Sequence, residues 1–180
     1  MIIAIIGTNC SGKETAANYL VKKGYEHFSL SDIIREELTK KGLDHSRKNL
    51  FNMGNELRRK FGNNILALRA LKRIKNPNTV ISSIRHPREI AELKKQKNLF
   101  LIAVDAPIEL RFERSLKRAK PGEEKTFEAF KNQELDESTE RKGLQQVRKC
   151  IKMVDILIIN DKTIDDLYKK IDDAINTFQS

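Results

Sequence analysis

Residues Gly7 to Thr15, GTNCSGKET, place four residues between two glycines and a lysine directly behind the second. This stretch follows the apolar run IIAII (2–6) and precedes a helical pattern, the setting in which a glycine-rich turn binds phosphate. Glycines let the backbone turn its N–H groups toward an anion, and the helix N-terminus adds a positive partial charge. Lys13 supplies a full charge at the terminal phosphates. Gly7, Thr8, Asn9, Cys10, Ser11, Gly12, Lys13, Glu14 and Thr15 are therefore candidates for binding a nucleoside triphosphate. The usual motif has Ser or Thr directly after the lysine, whereas here Glu14 intervenes before Thr15. A glutamate facing phosphates would repel them, so Glu14 is expected to point outward and the Thr15 hydroxyl to serve phosphate or Mg²⁺.

Arginines form the second group. Arg35, Arg58 and Arg85 can each supply planar, multidentate, permanently charged donors for a second phosphate, or can be solvated surface residues. Arg111, Arg114 and Arg118 recur at spacings of three and four and share one helical face, which reads as a basic stripe or as charge for a phosphoryl group in transfer. Ser31 and Asp32 open a helical segment and are also ordinary cap residues; Asp105 is a strand-end acid or a cap for a helix starting at Pro107.

Five short apolar runs must position these groups: 2–6, 26–30, 79–84, 99–104 and 155–159. Most are apolar at consecutive positions, as in strands covered on both faces of a parallel sheet. Helical patterns lie between them, including Lys13 to Lys23 before Gly24 and the stripe Leu50, Met53, Leu57 before Gly62. Alternating strands and helices predict an α/β fold with ligands at the carboxyl ends of the strands.

The 180 residues fit one domain, and 35 basic against 25 acidic residues give a net charge of +10 that favours anionic partners. Nucleic acid is among them, but the chain lacks the interleaved aromatic and basic residues of single-strand binders. Cys10 and Cys150 form no CxxC or Cys/His cluster, which argues against a disulfide framework or zinc site and for a reducing cytoplasm. The histidines, His27, His45 and His86, show no ligand or triad spacing. The opening apolar run ends too early for a signal-peptide core, and no stretch reaches the ~18 apolar residues of a membrane span.

Lys13-Glu14-Thr15 resembles the GKGT ending of P-loop nucleoside monophosphate kinases, and further matches follow in order. SLSDIIREEL (29–38) is similar to the segment of those kinases that meets the acceptor nucleotide, and NELRRKFG (55–62) to the acceptor-side helix of small kinase-like proteins related to the P-loop domain fused to some dCMP deaminases. SIRHPRE (83–89) resembles the DVRxPNE pattern of deoxynucleotide monophosphate kinases, with Ser83 in place of the Asp. VDAPIELRFERSLKR (104–118) resembles a strand-to-lid stretch shared with dephospho-CoA kinases, and CIKMVDILIINDKTIDDL (150–167) the adenine-side segment.

The resemblance implies a three-layer P-loop fold with a five-stranded parallel sheet, an acceptor-binding helical segment at about 31–75 and a short lid at about 114–127. It implies ATP and Mg²⁺ as cofactors, and transfer of a phosphoryl group to a nucleoside or deoxynucleoside monophosphate. Catalytic roles fall on Lys13, Asp32, Arg85, Arg114 and Arg118; acceptor contacts on Ser31, Asp32, Arg35, Arg58 and Arg85; metal on Thr15 and Asp32; and the adenine side on Asn160 and Lys162. A dephospho-CoA kinase is the alternative within the kinases. A nucleotide-binding regulator or RNA-associated protein without kinase activity is the alternative outside them. HxE followed by PCxxC is missing, so zinc deaminase chemistry is excluded.

Overall fold

The computed structural model describes residues 1–119, 124–138 and 146–180. Strands β1 (Ile2–Gly7), β2 (Glu26–Ser29), β3 (Thr79–Ser82), β4 (Leu99–Asp105) and β5 (Ile156–Ile159) form one sheet in the order β2-β3-β1-β4-β5. Every pairing is parallel, with Ile3 opposite Val80 on one side and Phe100 on the other. The sheet matches the expected runs to within two residues at either end.

Side chains alternate across a strand, so a strand buried on both faces must be apolar at successive positions. In β1, Ala4 and Ile6 pack into one core with Leu30, Ile33, Leu57, Leu66, Ile81 and Ile90. Ile3 and Ile5 pack into the other with Ala16, Leu20, Val104, Leu167 and Ile171. The first face is covered by α2 (Leu30–Lys40), α3 (Arg47–Phe61), α4 (Ile65–Leu71), α5 (Pro87–Leu93) and α8 (Val147–Ile151), the second by α1 (Lys13–Lys22) and α9 (Ile164–Gln179). Helices α6 (Ile108–Arg118) and α7 (Phe127–Ser138) pair through Phe112, whose ring meets those of Phe127 and Phe130 with centroids 5.6 and 5.7 Å apart.

Capping corrects two sequence readings. Helix α2 is capped by Ser29, whose hydroxyl accepts from the Ser31 amide, and not by Ser31 or Asp32. The N-cap position of α6 is Pro107, not Asp105, whose carboxylate accepts from the Ala106 amide and from Thr8. Among the described residues no helix is long and apolar enough to cross a membrane.

Candidate functional site: two clefts that meet at Lys13

The loop after β1 emerges between β3 and β4, where the chain order reverses across the sheet and ligand crevices form in such folds. Its glycines are sterically required. A Cβ at Gly7 would lie 2.3 Å from the Val104 carbonyl oxygen, and one at Gly12 would lie 2.2 Å from Asn160 Nδ2. Gly12 has φ 101°, a left-handed conformation, and no side chain caps α1. The first-turn amides of this helix are thus open to an anion rather than consumed by a cap. Cys10 also adopts φ 58°, a local strain that the loop's surroundings hold in place.

Two strands brace the loop. Thr8 Oγ1 donates to Asp105 Oδ1 at 2.5 Å, tying the loop to the end of β4. Asn160, after β5, donates from Nδ2 to the Ser11 carbonyl at 2.8 Å and from its amide to the Asp105 carbonyl at 2.8 Å. Lys13 Nζ donates to the Thr8 carbonyl at 3.0 Å.

A donor-side cleft opens beyond Gly12. Cys10, Gly12, Lys13, Glu14, Thr15, Arg114, Arg118, Asn160, Lys162, Ile164 and Leu167 line a cavity volume of about 400 Å³, in the range of small-molecule sites. Glu14 is exposed, in keeping with an outward-pointing side chain. Arg114 Nη2 donates to the Asn160 carbonyl at 3.0 Å, and Arg118 Nη2 to Asn9 Oδ1 at 3.3 Å. These arginines of α6 thus reach across the donor cleft.

A second, narrow cleft of about 30 Å³ lies against Lys13, lined by Gly7, Thr8, Asn9, Lys13, Arg47, Arg85, Phe130, Gln133, Glu134, Val147 and Arg148. It gathers cationic side chains from the P-loop, α3, the loop after β3 and α8. Glu134 interrupts them: its Oε1 accepts from Arg148 Nη2 at 2.5 Å, while Arg111 takes both of its oxygens. Arg111 is buried at the base of α6 and also donates from Nε to the Ala106 carbonyl at 2.9 Å.

A family model described as an AAA domain matches residues 3–160. The chain is 31% identical over 179 residues to a UPF0200 protein of Thermococcus gammatolerans, covering 95% of this chain and 92% of that protein. The chain belongs to the UPF0200 family. A second member, from Sulfurisphaera tokodaii, is 31% identical over 175 residues, with 97% and 95% of the two chains covered. Among solved structures, the shikimate kinase of Aquifex aeolicus superposes with a TM-score of 0.58 at 22% identity, covering 98% of this chain and 97% of that one. The likeness is one of fold: the UPF0200 chain has the three-layer α/β architecture of P-loop kinases, as its sequence resemblance implied.

Within this UPF0200 chain the expected residues divide. Gly12, Lys13, Glu14, Thr15, Cys10, Arg114, Arg118, Asn160 and Lys162 meet at the donor cleft, and Arg85 joins Lys13 across the other. Arg58 does not reach either cleft: it is 1% exposed and donates from Nε and Nη2 to Glu89 Oε1, at 3.0 and 2.8 Å. Glu89 in turn accepts from the Arg85 and His86 amides through Oε2, at 2.9 and 3.1 Å. Arg58 thus holds the loop that carries Arg85. Arg35 is engaged with Asp32 at 2.7 Å, both substantially exposed on α2, and neither they nor Ser31 are among the residues lining these two clefts.

Ser83, where the resembled pattern has Asp, adopts φ 64° and its hydroxyl accepts from Ser29 at 2.9 Å. His27 bonds Ser82, His86 caps α5 and His45 bonds Thr39. Part of the expected lid, residues 120–123, lies outside the described residues. Arg47, Phe130, Gln133, Glu134 and Arg148 were not anticipated as cleft residues. The only sequence trace of them is that Phe127, Phe130 and Glu134 fall on one stripe of a helix.

The electrostatics of Lys13 have a measurable consequence. Burial and the nearby Arg85 lower its pKa from 10.5 to about 8, against the opposing pull of Glu14. Phosphate oxygens at the loop favour the ammonium and raise that value again. Between the two pKa values, nucleotide binding must take up a proton. Mg·ATP affinity is therefore expected to be flat below pH 8 and to fall above it. Calorimetry at pH 8.5 in buffers of different ionisation enthalpy should record net proton uptake by the protein, and a buffer-independent heat would refute the assignment.

Proposed function

We propose that this protein is an ATP-dependent phosphotransferase that phosphorylates a nucleoside or deoxynucleoside monophosphate. The observation that carries the reading is the meeting of two cationic clefts on Lys13, one at an uncapped helix N-terminus and one lined by Arg47, Arg85 and Arg148. Phosphoryl transfer asks little covalent chemistry of a protein, so positioning and charge neutralisation carry the rate. The loop amides and Lys13 hold the triphosphate, and Thr15 takes the metal-facing position. The fit rests on the glycine cradle, the open first-turn amides and the cationic lining.

Arg85 fixes the acceptor phosphate with an oxygen directed at the γ-phosphorus. Arg114 and Arg118, from the donor side, spread over the charge of the transferring group. The expected lid at about 114–127 is proposed to bring these arginines inward. Asp32 would serve Mg²⁺ through water, after releasing Arg35. The chain acts as one kinase-like domain, with residues 31–75 forming the wall beside the acceptor. A cytoplasmic setting suits both nucleotides and the free cysteines.

The test is an acceptor panel with labelled ATP and Mg²⁺: ribo- and deoxyribonucleoside monophosphates, dephospho-CoA, and shikimate, the ligand named for a structurally similar kinase from Acinetobacter baumannii. Phosphorylation confined to monophosphates supports the reading. Phosphorylation of dephospho-CoA or shikimate alone replaces the acceptor class. ATP binding with no acceptor phosphorylated leaves a regulator or RNA-associated protein as the better description.

A further inference from the structure

We propose that Glu134 is the specificity residue of the Arg85 cleft. Its carboxylate stands in for an anion on Arg148 and keeps small free anions, inorganic phosphate above all, from occupying the site. The inference rests on the reading that this cleft receives the acceptor's phosphate.

The two arginines that share Glu134 are held very differently. Arg111 is 3% exposed, takes both carboxylate oxygens and is further fixed by the Ala106 carbonyl. Arg148 is 56% exposed and meets Glu134 through a single nitrogen, Nη2, at 2.5 Å. The buried, bidentate partner anchors Glu134 in place. The exposed, singly bonded partner is the one an incoming anion can recruit, since an exposed ion pair is cheap to exchange.

Glu134 itself is only 12% exposed and lines the same cleft as Lys13, Arg47 and Arg85. An anion entering there gains Arg148 only by displacing a carboxylate from it, and then sits beside that carboxylate's negative charge. Inorganic phosphate has nothing further to offset the repulsion. A larger acceptor has more to give, because Phe130 and Val147 add apolar surface and Gln133 an amide to the same cleft. Discrimination therefore comes from a built-in repulsive element together with attractive ones. Such an element suits a cleft that must receive a phosphate monoester in a cell rich in free phosphate.

The same carboxylate touches the donor loop at one remove. Arg111 Nη1 also donates to the Asn9 carbonyl at 3.4 Å, so Glu134 lies one guanidinium away from the phosphate loop. Its replacement by a neutral residue removes repulsion from the cleft and loosens that guanidinium together.

The experiment is calorimetric titration of inorganic phosphate into the intact chain with its donor loop saturated by Mg·ADP. Glu134→Gln is expected to bind phosphate on the order of tenfold more tightly than wild type. In an Arg148→Met background the same change is expected to give a smaller gain, about threefold, because only the carboxylate's repulsion is left to remove. Glu134→Asp keeps a charge for Arg111 but withdraws it from Arg148, so it should tighten phosphate binding in the same direction by about threefold, and it stands in should the Gln variant fail to fold. Unchanged phosphate affinity in a folded variant, or a gain that persists undiminished in Arg148→Met, overturns the proposal. A parallel titration with nucleoside monophosphates separates the two readings. Phosphate following the predicted order while no monophosphate binds removes the acceptor class and keeps Glu134's role; the reverse pattern removes Glu134's role and keeps the acceptor class.

Discussion

Lys13→Met is expected to reduce phosphoryl transfer by about 10³-fold or more while making the nucleotide-free protein more stable at pH 7. The loss of activity follows from its place at the junction of the two clefts, where it is the cation shared by both. The gain in stability follows from the cost of that place. Its pKa of about 8 in the folded chain lies below 10.5, so the folded state holds the lysine's proton less tightly than the unfolded chain does. Below pH 8 both states are protonated and folding bears the full cost of the charged form. As pH rises from 8 toward 10.5 the folded state releases its proton first, and stability recovers.

Methionine is similar in length and removes the cost at neutral pH. A gain of about 1 kcal/mol, or roughly 2–4 °C in Tm for a chain of this size, is expected at pH 7 and should fade toward pH 10. Scanning calorimetry of both proteins across that range measures it. A variant that turns over normally, or one less stable than wild type at pH 7, contradicts the electrostatic description of the loop.

Arg58→Met is expected to destabilise the fold by about 3–5 kcal/mol, the scale for removing one partner of a buried ion pair. Glu89 is 0% exposed and takes two donors from Arg58 besides the amides of Arg85 and His86. Without Arg58 a carboxylate is left in the core with half its donors. Urea unfolding should show a large fall in the midpoint, and the loop carrying Arg85 should exchange its amide hydrogens faster. If Arg58 were instead an acceptor-binding residue, the variant would keep its stability and show only a raised KM. The two outcomes are far enough apart for one denaturation curve to separate them.

The contrast between Lys13 and Arg58 marks how far the sequence reaches. The P-loop was legible because its chemistry is local: two glycines, a lysine, a preceding apolar strand and a following helix lie within one short stretch. The strands were legible because burial on both faces leaves a continuous apolar run, as Ile3, Ala4, Ile5 and Ile6 show by alternating between two cores. Arg114 and Arg118 line one cleft together because helical spacing puts them on a common face of α6.

Arg58 was misread because an arginine's partner is not written beside it. Glu89 lies 31 residues away, and only the fold that brings Arg58 of α3 to Glu89 of α5 decides that the guanidinium turns inward. Asp32 and Arg35, expected as ligand contacts, pair with each other across one helical turn in this structure. Glu134 and Arg148 were invisible for the same reason. They belong to separate helices, and an acidic residue in FKNQELDES resembles any solvated helix face until the fold sets it among arginines. Asn160, expected beside adenine, lines the cleft beyond Gly12 and is 6% exposed, with its side-chain amide donating to the Ser11 carbonyl. Its role is to shape the loop that the sequence had already marked.

The decisive measurement is a crystal structure of the protein with Mg²⁺ and a non-hydrolysable ATP analogue. The triphosphate should lie over Gly7–Thr15, with the γ-phosphate within about 3 Å of Lys13 Nζ and facing Arg85, and the base should lie toward Lys162. A nucleotide found in another cavity, or one whose terminal phosphate points away from the Arg85 cleft, would contradict transfer across Lys13.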